Sequence, residues 1–196
     1  MEYSCDSYNE FAIDTISEYL RIADYCINTP KKEEDSCYGM PAFLLLSSVI
    51  DIIGTFYRNS SFEPITGYDV KNNKLGNAKD HFKQFYNLFL SPNLSQTSTL
   101  DEKNFIDFFY QFARCRATHN GVLAPRVRIM KSDKCNNFIE MDSNRRDMCI
   151  QLRDLCSFVR KTFEEKVEQE YDNYKKKNPS QSPATVLPPA SITGTT

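Results

Sequence analysis

The stretch "FARCRATHNG", Phe112 to Gly121, carries Arg114 and, five positions on, His119. An imidazole whose ordinary pKa is about 6.5 moves protons in either direction at neutral pH. A guanidinium stays charged and holds a phosphate in fork geometry. Together they suit attack of an RNA 2′-hydroxyl on its own phosphodiester, with the imidazole as base or acid and the guanidinium stabilising the pentavalent transition state. On an α-helix five residues turn about 500°, so the two side chains leave roughly 140° apart. Alone they converge poorly on one phosphate; they can converge if two copies of the helix pack across a two-fold axis. The competing reading is a polar helix end, where cations in the last turn are expected for stability alone.

The neighbours sharpen the question. Arg116 lies three before His119, on the same face. Tyr110 lies four before Arg114, placed either to reach a phosphate or to pack. Asn120-Gly121 is a pair that stops helices. Arg126 and Arg128 share one face of a strand and either track an RNA backbone or sit in water. Arg145 and Arg146 open the last helix, where an anionic partner would suit them. Cys115, between two arginines, has no base-and-orienter arrangement around it. Asp51 stands alone in an apolar helix, and a buried carboxylate needs a partner: Arg114, His119, or a structural hydrogen bond.

Helices must position these groups. The first is expected at Tyr8–Ile27, with Phe11, Ile13, Ile16, Tyr19, Leu20 and Ala23 on one face; Pro30 ends it. The second, Pro41–Tyr57, is apolar nearly all round and calls for helices about it. Asn59–Asn77 is a polar loop. A third helix spans Ala78–Leu90. A fourth, Leu100–His119, has Ser98 or Thr99 as candidate cap and Phe105, Phe108, Phe109 and Phe112 as a packing stripe. "RVRIMK" and "NFIEMD" alternate and predict a small β-hairpin. A last helix runs from Arg145 to about Tyr174. Residues 1–177 make one domain; residues 178–196, rich in Ser, Pro and Thr, are expected to be a disordered tail.

Composition removes other classes. The 196 residues carry a net charge of −2, so any nucleic-acid contact must come from a local patch. There are seven cysteines and two histidines. No Cys-x-x-Cys pair occurs, which argues against a structural zinc site and for reduced cytosolic thiols. The acidic start is no signal peptide, and Asp51 interrupts the longest apolar run, which reads as a core helix and not a membrane span. No phosphate loop, metal-ligand cluster or Ser/His/Asp arrangement is present, so no cofactor or metal is expected.

"LLLSSVIDIIGTFYR" followed by "FIDFFYQFARCRATHNGVLAP" resembles the HEPN family (higher eukaryotes and prokaryotes nucleotide-binding). The resemblance rests on Asp51-x-x-Gly54-x-x-Tyr57 and on an arginine followed at short spacing by a histidine, and covers roughly residues 42–163. It implies a mainly α fold, a bundle of about five helices with the hairpin before the last one, that pairs as a homodimer in the cytoplasm. It also implies a metal-independent endoribonuclease of a toxin–antitoxin or anti-phage defence system, with Arg114 and His119 catalytic and Asp51, Tyr110, Arg116 and Asn120 supporting. An antitoxin or other defence-system protein is then the expected partner. Family members without activity imply the alternative, a non-catalytic dimer that binds a partner or a nucleotide. Cys115 departs from the family pattern, which usually has a small polar residue or a histidine after the arginine.

Overall fold

The computed structural model describes residues 5–31, 34–94, 100–130, 138–142 and 147–179. The chain is mainly helical, with a small three-stranded sheet. Helix α1 (Cys5–Asn28) buries Asn9, Ala12, Ile16, Leu20, Ala23 and Ile27, three and four apart as one face requires. Phe11, expected on that face, is 73% exposed, because one residue before Ala12 is about 100° round the helix. Strands β1 (Pro30–Lys31) and β2 (Glu34–Cys37) pair antiparallel.

Helix α2 (Gly39–Phe56) is the core helix, with Pro41 in its first turn, where a missing N–H is harmless. It is long and apolar enough to cross a membrane, yet it buries Ala42, Phe43, Leu46, Val49, Ile50, Ile53 and Phe56 within the fold. The loop expected over Asn59–Asn77 contains a short helix, α3 (Gly67–Lys71), started by a Thr66–Asp69 capping box. Helix α4 (Ala78–Phe85) is capped by Asn77, whose side chain accepts from the Asp80 N–H at 3.1 Å, and runs on into a π-wound turn, Tyr86–Leu90.

The next rod is one helix in three windings: α5 (Glu102–Asn104), a π-wound stretch Phe105–Cys115, and α6 (Arg116–Asn120). Its cap is Asp101, which accepts from the Asn104 N–H at 2.6 Å; Ser98 and Thr99 lie outside the described residues. Phe105, Ile106, Phe109 and Ala113 face the core, and the Phe105 and Phe109 rings stack at 4.9 Å. Phe108 and Phe112 are only half-buried, so the expected four-phenylalanine packing stripe divides into a buried pair and a partly open pair. Gly121 ends the rod at φ 67°, with its N–H on the Ala117 carbonyl at 3.1 Å.

Strands β3 (Val127–Met130) and β4 (Ile139–Asp142) fall where alternation placed them, but they are not a hairpin. Strand β5 (Asp147–Gln151) lies between them, parallel to β3 (Val127 opposite Met148) and antiparallel to β4 (Ile139 opposite Ile150). The expected start of the last helix is therefore wrong. Residues 147–151 are a central strand, with Met148 and Ile150 buried, and two-sided ladder pairing overrides a helical spacing that only begins at Leu152. Helix α7 (Leu152–Thr162), a π-wound turn Phe163–Glu168 and α8 (Gln169–Lys177) follow. Arg145, Arg146 and residues 180–196 of the tail lie outside the described residues. Cys26, Cys115 and Cys156 form no disulfide, but Cys149 is disulfide-bonded, which corrects the expectation of reduced cysteines throughout.

Candidate functional site

The lone carboxylate of α2 organises three elements. Asp51 Oδ1 lies 2.7 Å from His81 Nδ1, on α4, and Asp51 Oδ2 accepts from an Arg114 guanidinium nitrogen at 3.3 Å. The α4 backbone can come so close because residue 54, one turn along α2, is glycine. A Cβ there would fall 2.6 Å from the His81 carbonyl carbon. The other imidazole nitrogen, Nε2, meets the Leu75 carbonyl at 2.6 Å. The loop returns that carbonyl beneath the ring through Gly76, at φ 88°.

Both ring nitrogens therefore face acceptors, which is the hydrogen-bonding pattern of an imidazolium. Thr55 Oγ1, 3.3 Å from Nδ1, already donates to the Asp51 backbone carbonyl at 3.0 Å, so it too can only receive the His81 proton. Burial is the largest influence on the His81 pKa and lowers it; the hydrogen bond and charge of Asp51, the Leu75 carbonyl and Asp80 together outweigh it, and the pKa lies above 6.5. One carboxylate thus serves two cations, leaving positive charge beside Arg114, whose side chain is 22% exposed.

Arg114 is also steadied by Tyr110, with Cζ 5.7 Å from the ring centroid, and that ring packs on Phe82 at 5.2 Å. Burial first, then the neighbouring Cys115, raises the Tyr110 pKa. The π winding ends at Cys115, so most of the step from Arg114 to His119 is α-helical. Arg114 turns inward to α2, while His119, Arg116 and Asn120 are exposed on α6. Among the described residues no hydrogen bond or ion pair joins Arg114 to His119 within one chain. Beyond the Gly121 turn, Ala124 N–H returns to the Phe112 carbonyl at 3.1 Å, which lays Pro125 and Arg126 alongside the helix. Arg126 is exposed; Arg128 is held at 3.8 Å by Asp147 across the sheet.

Of the expected site residues, the structure brings together Asp51, Arg114 and Tyr110, and sets His119, Arg116 and Asn120 on an open helix end. Sequence reasoning missed His81. The available signal was arithmetic: two histidines, and one carboxylate in an apolar helix that had to find a cation. Among the described residues no group of three or more His, Cys, Asp or Glu side chains is gathered as for a metal ion. No protein-family model, curated protein or solved structure matches the chain.

Proposed function

We propose that the protein is a metal-independent endoribonuclease of HEPN type in stress or anti-phage defence, active as a homodimer. The observation that carries the reading is the orientation of Arg114. Its guanidinium is tied at 3.3 Å to a carboxylate that a second cation already shares, and it stays partly open to solvent. A fixed, incompletely neutralised guanidinium is preorganised for a phosphate and needs no rearrangement as charge develops. His119 stands exposed on the same rod but points elsewhere, so the site forms between Arg114 of one protomer and the partner's His119. There the His119 imidazole removes the 2′-hydroxyl proton as the 2′-oxygen bonds phosphorus, and returns that proton to the 5′-oxygen as the phosphorus–5′-oxygen bond breaks, giving a 2′,3′-cyclic phosphate. Purified wild type and His119→Ala, each incubated with total RNA in EDTA, test this. Cleavage by the wild type alone supports it, and cleavage by both at equal rate rejects it.

The second reading is a silent dimer that binds a partner or a nucleotide. Its support is the same ion pair seen otherwise: Asp51, Arg114 and His81 form a closed network that stabilises a helix crossing. No cleavage by either protein favours it.

A further inference from the structure

The half-buried pair Phe108 and Phe112 is not core. Their rings meet edge to face at 5.4 Å and form the floor of an open groove of about 250 Å³, completed by Arg116, Ala124, Pro125 and Arg126. The groove exists because of two sequence features already described. The Gly121 turn reverses the chain, and the Ala124 N–H bond to the Phe112 carbonyl holds the returning segment against the helix. Arg126 is fixed from the other side, its carbonyl accepting from the Met148 N–H at 2.8 Å. Arg116 lies over the Phe112 ring, with Cζ 5.8 Å from the centroid. Among the described residues neither Arg116 nor Arg126 has a carboxylate in salt-bridge reach, as Arg21, Arg153 and Arg160 do not either, but only these two flank an aromatic floor.

We propose that this groove is a nucleotide subsite for single-stranded RNA: a base packs against the floor formed by the Phe108 and Phe112 rings, and the flanking phosphates are held by Arg116 and Arg126. The inference deepens the ribonuclease reading and rests on it for the choice of RNA as the polyanion. An aromatic floor between two uncompensated guanidiniums asks for a ligand that is flat and apolar in the middle and negative at its edges, as a nucleotide in an unpaired strand is. A second copy of this chain fits less well, since two copies of the groove meeting would set four arginines together with no carboxylate of the lining between them. Arg116 shares α6 with His119, so a strand seated here runs beside the exposed imidazole.

The test uses a fluorescein-labelled, fully 2′-O-methylated oligouridine, which cannot be cleaved through a 2′-hydroxyl, and follows fluorescence anisotropy with the full chain. Phe112→Leu removes one ring of the aromatic floor and keeps apolar volume; Arg126→Ala removes one phosphate contact. The expected result is that Phe112→Leu weakens binding by roughly tenfold, and that Arg126→Ala weakens it and lowers the salt dependence by about 0.7 in log–log slope. Unchanged affinity in both variants, with unchanged circular dichroism, overturns the subsite. So does the finding that Phe112→Leu shifts the oligomeric state by sedimentation and leaves oligouridine binding alone, which assigns the groove to a second copy. Failure of the wild type to bind also overturns it. The two readings fail separately: groove-dependent binding without cleavage of total RNA removes the nuclease, and cleavage with an affinity indifferent to Phe112 removes the groove.

Discussion

Asp51 and His81 meet at 2.7 Å across a helix crossing whose closeness depends on Gly54. The "Asp-x-x-Gly" of α2 is therefore one device. The carboxylate binds the imidazole, and one turn later the missing side chain admits the backbone that carries it. Arg114 takes the second carboxylate oxygen, so the geometry of the candidate phosphate-binding group is set by a contact between two other helices.

Gly54→Ala tests that dependence. Alanine gains about 1 kcal/mol of helix propensity over glycine, but its Cβ would overlap the His81 backbone, which is not a flexible chain end that can swing away. The overlap is expected to outweigh the gain, with a net loss of about 1–3 kcal/mol and weakened docking of Arg114. Urea denaturation measures it; a variant as stable as the wild type would show that α4 can retreat freely.

The His81 proton gives a pH dependence with a definite sign. The pKa is raised in the folded state, so the folded protein holds this proton more tightly than the unfolded chain. The contribution is full below pH 6.5, the ordinary histidine value, and is lost as pH rises through the higher folded value. Stability of the wild type relative to His81→Gln should fall over that interval. Parallel stability curves for the two proteins would place the proton elsewhere.

Much of this scaffold could be read from spacing alone. The helices carrying His81 and Arg114 were visible as three-and-four periodicity, the helix carrying Asp51 as an apolar run opened by Pro41, and the Asn120-Gly121 stop as chemistry. What escaped was long-range. Residue 81 is thirty positions from Asp51, and nothing local marks it as the carboxylate's partner. Strand β5 was hidden because Met148 continues the apolar spacing of α7, and only pairing with strands on both sides reveals Asp147–Gln151 as extended. The π winding of Phe105–Cys115 was hidden too, since phenylalanines three and four apart fit an α-helix equally well.

Asp51→Asn separates the ion pair from the hydrogen bond. The amide keeps the shape but removes the charge shared by His81 and Arg114, and both cations are mostly covered. A loss of about 1–3 kcal/mol is expected. In a double-mutant cycle with Arg114→Gln, a coupling of about 0.5–3 kcal/mol is expected for residues in one network. Additive losses would mean that the 3.3 Å contact contributes nothing in solution.

The division of labour between Arg114 and His119 leads to the most discriminating experiment. His119 is exposed, so His119→Ala should change stability by no more than about 0.5 kcal/mol, while loss of a proton-transfer group should lower RNA cleavage by roughly 10²–10⁴-fold. Arg114→Lys keeps a charge but loses the planar fork, and should also lose cleavage. If the site joins Arg114 of one protomer to the partner's His119, co-refolding the two variants builds mixed dimers in which one of two sites is intact. Activity should then return to a sizeable fraction of the wild type. If both groups act from the same chain, each protomer of the mixed dimer lacks one of them and the mixture stays inactive. The recovery measures, without any structural assumption, whether the outward turn of His119 away from Arg114 is the geometry of a shared site.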